Sequence, residues 1–178
     1  MRKLLMCLAA AIMIAPGSAR AQATIDLSQV TCADYLAMTP GQSRIFSAWG
    51  SGWFNYRFGY VTIGLDDYAK NVASIQQWCM GNPRTTVMSA LERTIIAPGP
   101  PRGQIKVDMS LVTCKQALSS EPERQETIAY WMSGYFHASR NQPVFDFTRF
   151  ANNRRAVAAY CKKRGGETLM SAIQKNAR

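Results

Sequence analysis

The feature that most constrains this chain is an internal duplication. "SQVTCADYL" (residues 28–36) returns as "SLVTCKQAL" (110–118), 82 positions later. At that offset no gap is needed from Asp26 to Arg93. Asp26, Ser28, Val30, Thr31 and Cys32 meet Asp108, Ser110, Val112, Thr113 and Cys114. "WGSGWF" (49–54) meets "WMSGYF" (131–136), Cys79 meets Cys161, and "TVMSAL" (86–91) meets "TLMSAI" (168–173). Both copies place their cysteines 47 residues apart. Two copies of one sequence pattern imply two copies of one structural unit.

The residues before the first copy read as an export signal. Arg2 and Lys3 precede the apolar run "LLMCLAAAIMIA", and "SARA" places Ala19 and Ala21 as an A-x-A cleavage site. Residues 1–21 are therefore expected to be removed after Ala21, with the mature chain in the periplasm. The run is too short to span a bilayer, and Cys7 within it is too far from the cut to carry a lipid. Removing Arg2, Lys3 and Arg20 lowers the formal charge from +10 to +7 and leaves four cysteines. An even number in an exported chain favours disulfides over metal ligation or a reactive thiol.

Between the copies lies "APGPPRGQ", three prolines and two glycines that no helix can cross. The expected organisation is repeat 1 over 22–97, a semi-rigid linker over 98–105 and repeat 2 over 106–178. Within each repeat the local signals are helical. Thr39-Pro40-Gly41-Gln42 offers an N-cap, a proline at the first helical position and a glutamine reaching back. Ser120-Glu121-Pro122-Glu123 offers the same in repeat 2. Phe46, Trp49, Trp53, Tyr56 and Tyr60 follow one helix face, mirrored by Ile128, Trp131 and Tyr135. A third helix is expected from about Asp66 to Met80, and again from Asp146 to about Lys163. Asn82-Pro83 and Gly165-Gly166 stop these, and a last helix carries Val87, Met88 and Leu91, or Leu169, Met170 and Ile173. Strand patterns of period two are scarce. The expected fold class is all-α, about four helices per copy, the first a single turn around "ADYL".

A unit of about 70 residues supports only a marginal core. Four cysteines permit three pairings. Joining Cys32 to Cys79 and Cys114 to Cys161 keeps the copies equivalent and each staple within its own copy. Under the chain-entropy model each closed loop then contributes about 4 kcal/mol, comparable with the net stability of so small a domain.

A "TC-x-x-[YF]-L" opening, a "W-x-x-G" in mid-helix and a "WC-x-x-NP" close resemble the HdeA/HdeB family of periplasmic acid-stress chaperones. The matching residues are Thr31, Cys32, Tyr35, Leu36, Trp49, Gly52, Trp78, Cys79, Asn82 and Pro83. Repeat 2 matches through Thr113, Cys114, Leu118, Trp131, Gly134, Tyr160 and Cys161, with Arg164 and Gly165 replacing the Asn-Pro pair. The resemblance implies helical domains with one disulfide each, folded as dimers near neutral pH. It also implies acid-triggered partial unfolding that exposes apolar surface to denatured periplasmic clients without ATP. Two domains in one chain suggest that the repeats pack on each other in place of a homodimer, aided by high effective concentration across a short linker. On this reading Phe46, Trp49, Trp53, Phe54, Tyr56, Ile128, Trp131, Tyr135 and Phe136 are both core and client-binding surface.

The charge arithmetic permits an acid response. All eleven carboxylates lie after Ala21, and their protonation would take the charge from +7 to +18. Asp26, Asp66, Asp67, Asp108, Glu123 and Asp146 stand near element starts and are the candidate pH-sensing groups. Asp66-Asp67 and the Glu121/Glu123 pair suit helix first turns better than paired acids for glycosidase chemistry. With one histidine, His137, placed on a polar helix flank and given no role, metal sites and Ser-His or Cys-His nucleophiles are not expected. No phosphate loop or cofactor motif is present, and the chain reads as a non-enzyme. Repeat 2 is the more basic, with eleven cationic and six anionic side chains over 108–178. Export argues against nucleic acid as partner; contact with an anionic membrane surface is compatible with that charge. The competing reading is a rigid periplasmic binding or inhibitor module of the same stapled fold.

Overall fold

The computed structural model describes residues 24–95 and 105–178. The export segment and all of the 98–105 linker except Ile105 lie outside them. Each repeat runs in the same order. Repeat 1 comprises β1 (Thr24–Asp26), α1 (Cys32–Leu36), α2 (Pro40–Arg57), β2 (Thr62–Gly64), α3 (Leu65–Gly81) and α4 (Val87–Thr94). Repeat 2 comprises β3 (Lys106–Asp108), α5 (Cys114–Ser119), α6 (Pro122–Ala138), β4 (Val144–Asp146), α7 (Phe147–Lys163) and α8 (Leu169–Asn176). The fold is mostly helical, with four helices per repeat.

The helix boundaries follow local chemistry. Thr31, Thr39 and Thr113 each form a capping box: the threonine hydroxyl accepts from the third residue's N–H, whose side chain reaches back. The box expected at Ser120–Glu123 does not form, because Pro122 begins α6 and makes Glu121 the cap. The third helical position is then Arg124, a donor with nothing to offer the cap N–H. Gln125 instead ties the turn, its Nε2 donating to the carbonyls of Leu118 (3.0 Å) and Ser120 (2.7 Å). The aromatic face of α2 also ends before Tyr60. The helix stops at Arg57, and Gly59 takes φ +74°, a conformation glycine adopts without cost. Its counterpart in repeat 2 is Asn141 at φ 51°, the other residue type that tolerates this turn.

The four strands were not foreseen. Three residues are too few to show a period of two. They pair between repeats and not within them. β1 runs antiparallel to β4, with Ile25 opposite Phe145, and β2 runs antiparallel to β3, with Ile63 opposite Val107. The opening strand of each repeat therefore pairs with the middle strand of the other, as a pseudo-twofold relation requires.

The core follows the same exchange. One cluster gathers Leu27, Trp49, Phe54, Ile75, Val87 and Leu91 of repeat 1 around the buried Phe145 of β4. The other gathers Met109, Trp131, Met132, Val157, Leu169 and Ala172 of repeat 2, with Ile63 of β2 packed on it. Disulfides join Cys32 to Cys79 and Cys114 to Cys161, with Cα atoms 4.9 and 5.0 Å apart. Each staples the short first helix of a repeat to its third.

Candidate functional site

The largest contact between the repeats is the crossing of α2 and α6. A glycine from each helix makes it close. A Cβ on Gly52 would lie 1.9 Å from the Trp131 carbonyl oxygen, and one on Gly134 would lie 1.9 Å from that of Trp49. No residue with a side chain fits there without pushing the helices apart.

Aromatic rings cover the crossing. Trp49 stacks on Trp53 at 5.0 Å, and Trp131 on Tyr135 at 5.3 Å, the equivalent pair. Tyr56 meets Tyr135 edge-on at 5.1 Å across the repeats. Trp49, Trp53 and Trp131 are buried, Tyr135 is half-buried and Tyr56 is exposed. The nine candidate client-binding residues therefore divide. Trp49, Trp53, Tyr56, Trp131 and Tyr135 cluster at the crossing, whereas Phe46, Phe54, Ile128 and Phe136 line a cavity within their own repeat.

Polar groups at the crossing nearly obey the pseudo-symmetry. Trp131 Nε1 donates to Ser51 Oγ at 3.2 Å, and Asn55 Nδ2 donates to the Ser51 carbonyl at 2.7 Å. In the mirrored place, His137 stands for Asn55. Its Nδ1 lies 2.8 Å from the Ser133 carbonyl, which can only accept, so Nδ1 carries the proton in neutral imidazole. Ser133 Oγ lies 3.2 Å from the same nitrogen. Trp49 Nε1, whose mirror image bonds a serine, is left buried without a partner.

His137 is not on a polar flank. Its ring lies 6.1 Å from Trp49 of repeat 1 and stacks on Phe145 at 5.9 Å. The sequence position is polar by neighbours along the helix, but the exchanged β4 and the crossing α2 cover it. Burial pushes its pKa down, the Ser133 carbonyl opposes that, and the nearby Arg149 and Arg140 add to the lowering.

One ion-pair cluster also spans the repeats. Arg44 on α2 meets Glu123 at 2.6 Å and Glu126 at 3.1 Å on α6. Arg44 and Glu126 are repeat equivalents, so the two copies carry opposite charges where they face each other.

Of the remaining candidate pH-sensing groups, Asp26 and Asp108 accept from the backbone N–H and hydroxyl of Ser28 and Ser110. Asp146 caps α7 through the Arg149 N–H at 2.8 Å, and Asp66 and Asp67 lie in the first turn of α3. These six groups are spread over the molecule; only Glu123 reaches across the helix crossing. Two carboxylates outside the six are held below the usual range. Asp34 is lowered by the hydroxyl and N–H of Thr31, and Glu167 by hydrogen bonds from Lys175 and Tyr160. Among the described residues no group of three His, Cys, Asp or Glu side chains could hold a metal ion, and no helix is long and apolar enough to cross a membrane.

Sequence reasoning missed the glycine crossing, the place of His137 and the Arg44 pair. A signal for the first existed: Gly52 and Gly134 are identical columns in mid-helix, where glycine is otherwise disfavoured.

Fold and interface together define a class: a small, disulfide-stapled helical protein built as a dimer within one chain. The sequence pattern of the HdeA/HdeB family matches residues 2–89 and again 94–171. The chain belongs to that family, whose members are periplasmic acid-stress chaperones rather than enzymes. No curated protein and no solved structure matches it.

Proposed function

We propose that this protein is an ATP-independent periplasmic holdase. At neutral pH the repeats bury their aromatic faces against each other; in acid the crossing of α2 and α6 loosens and those faces receive denatured clients. The observation that carries this reading is that Trp49, Trp53 and Trp131 are buried at a crossing whose contacts include His137 and the Arg44–Glu123/Glu126 cluster. A proton on His137 charges a ring held against Trp49 and Phe145, and a neutral Glu123 or Glu126 no longer ion-pairs with Arg44, while the disulfides keep each repeat from unravelling. The net positive charge gained in acid keeps an opened, client-laden chain soluble.

The test follows tertiary circular dichroism and suppression of client aggregation together from about pH 7 to about pH 2. Loss of fixed packing with gain of suppression is expected. A second reading, a rigid binding or inhibitor module, draws support from the strand exchange, which makes each core depend on the other repeat. Unchanged packing in acid with no suppression would select it.

A further inference from the structure

The duplication supplies an internal control for a second feature. Each repeat has a cavity at the same place, between its long second helix (α2 or α6), its third helix (α3 or α7) and its last helix (α4 or α8). In repeat 1 it is about 100 Å3; in repeat 2 it is about 390 Å3, within the range of small-molecule sites.

Several equivalent lining residues shrink in repeat 2, Ile95 to Ala177 among them. Tyr35, Phe46 and Tyr68 of repeat 1 likewise become Ala117, Ile128 and Phe150. Tyr35 Oη bonds Ser47 Oγ at 2.9 Å, and burial pushes the Tyr68 phenol up to about 12, both marks of a filled groove. Met132 for Gly50 and Leu169 for Val87 run the other way, yet the repeat 2 cavity remains the larger.

The rim changes in parallel. Phe58, Asp67 and Val72 become Arg140, Arg149 and Arg154, and Arg178 lies beside them. Arg178 is tied to Asn153, whose Nδ2 donates to its carbonyl oxygen at 3.0 Å and whose Oδ1 accepts its N–H at 3.1 Å. All four arginines are exposed, and none forms an ion pair with a carboxylate among the described residues. The other titrating side chains on the wall are His137 and Asp146, and the latter is engaged in capping α7. Arg154 stands over the Phe150 ring at 5.7 Å, and an apolar floor beneath guanidinium groups without a carboxylate partner is complementary to a molecule with an apolar body and an anionic head.

The geometry points to a ligand site in repeat 2 for a single-chain anionic amphiphile, its acyl chain on Ile128, Met132, Val157 and Ile173 and its head among Arg140, Arg149 and Arg154. This site belongs to the folded protein at neutral pH and goes beyond holding clients in acid. A free fatty acid and a lysophospholipid with a phosphate head share the required chemistry.

The test uses the full chain at neutral pH and a fluorescent dansyl-undecanoate probe, displaced by laurate, by lauroyl lysophosphatidylglycerol or by dodecanol. Saturable binding is expected, with displacement by one or both anions and at least about tenfold weaker displacement by the uncharged alcohol. Better competition by laurate or by the lysophospholipid identifies the natural head. The pair Arg149→Asp and Arg154→Val, which installs the repeat 1 residues on the surface, is expected to weaken laurate about tenfold and leave dodecanol unchanged. The pair Ala117→Tyr and Ile128→Phe refills the cavity and is expected to abolish both; if it does not fold, the surface pair still decides. No saturable probe binding, equal competition by alcohol and acid, or anion binding indifferent to the arginine pair would overturn the proposal. So would displacement by an unfolded protein but by neither anion, which would make the groove a client surface.

Discussion

His137 is where a single proton most directly touches the contact between the repeats. Its folded pKa is lowered, first by burial, against an unfolded value of about 6.5. As pH falls below that value, the unfolded chain binds the proton before the native one does. Native stability therefore declines until the lower, folded value is passed. Asn55 shows what the mirrored position looks like without a titrating group. His137→Asn should move the acid midpoint, followed by tryptophan fluorescence, to lower pH after correction for its stability near pH 8. A midpoint that stays put or rises would remove His137 from the account. Asp34 and Glu167 act in the same direction but lower in the range. Their folded values are depressed, so their stabilisation is present above about pH 4 and is lost as pH falls through the folded values. Glu167→Gln should lower the neutral melting temperature and leave stability near pH 2 unaltered; equal loss at both pH values would contradict the assignment.

At the scale of elements, the crossing of α2 and α6 depends on two missing side chains. Gly52→Ala places a methyl group where the Trp131 carbonyl stands. It should cost about 3 kcal/mol in urea unfolding, the upper end of overpacking effects. Gly41, with nothing near its Cβ position, is the control and should tolerate alanine. Arg44→Gln should cost about 1 kcal/mol or less at neutral pH, because Glu123 is exposed and Glu126 is only half-buried. The opposite charges at Arg44 and Glu126 also say that the repeats suit each other better than either suits its own copy. Much of this was legible in the sequence: the Thr39 cap, the prolines opening α2 and α6, and the cysteine spacing all act locally. What escaped were features set between repeats. The strands are too short to carry a pattern, and their partners lie more than a hundred residues away for β1 and β4. His137 reads as polar along its own helix and is half-buried, its ring against Trp49 and Phe145.

The whole molecule is neither two beads nor one undivided core. Disulfides close a loop within each repeat, whereas the strands and the crossing helices join the repeats. Reducing both disulfides should cost about 4 kcal/mol each under the chain-entropy model, measured by urea unfolding with and without reductant. On the holdase reading, the seam that opens in acid lies between the repeats and the ties that hold lie inside them. The most direct measurement is amide hydrogen exchange, read by mass spectrometry in the holding state near pH 2 and corrected for the intrinsic rate. We expect α2 and α6 to lose protection while amides beside Cys32, Cys79, Cys114 and Cys161 keep part of theirs. Client holding with α2 and α6 still fully protected would contradict the account.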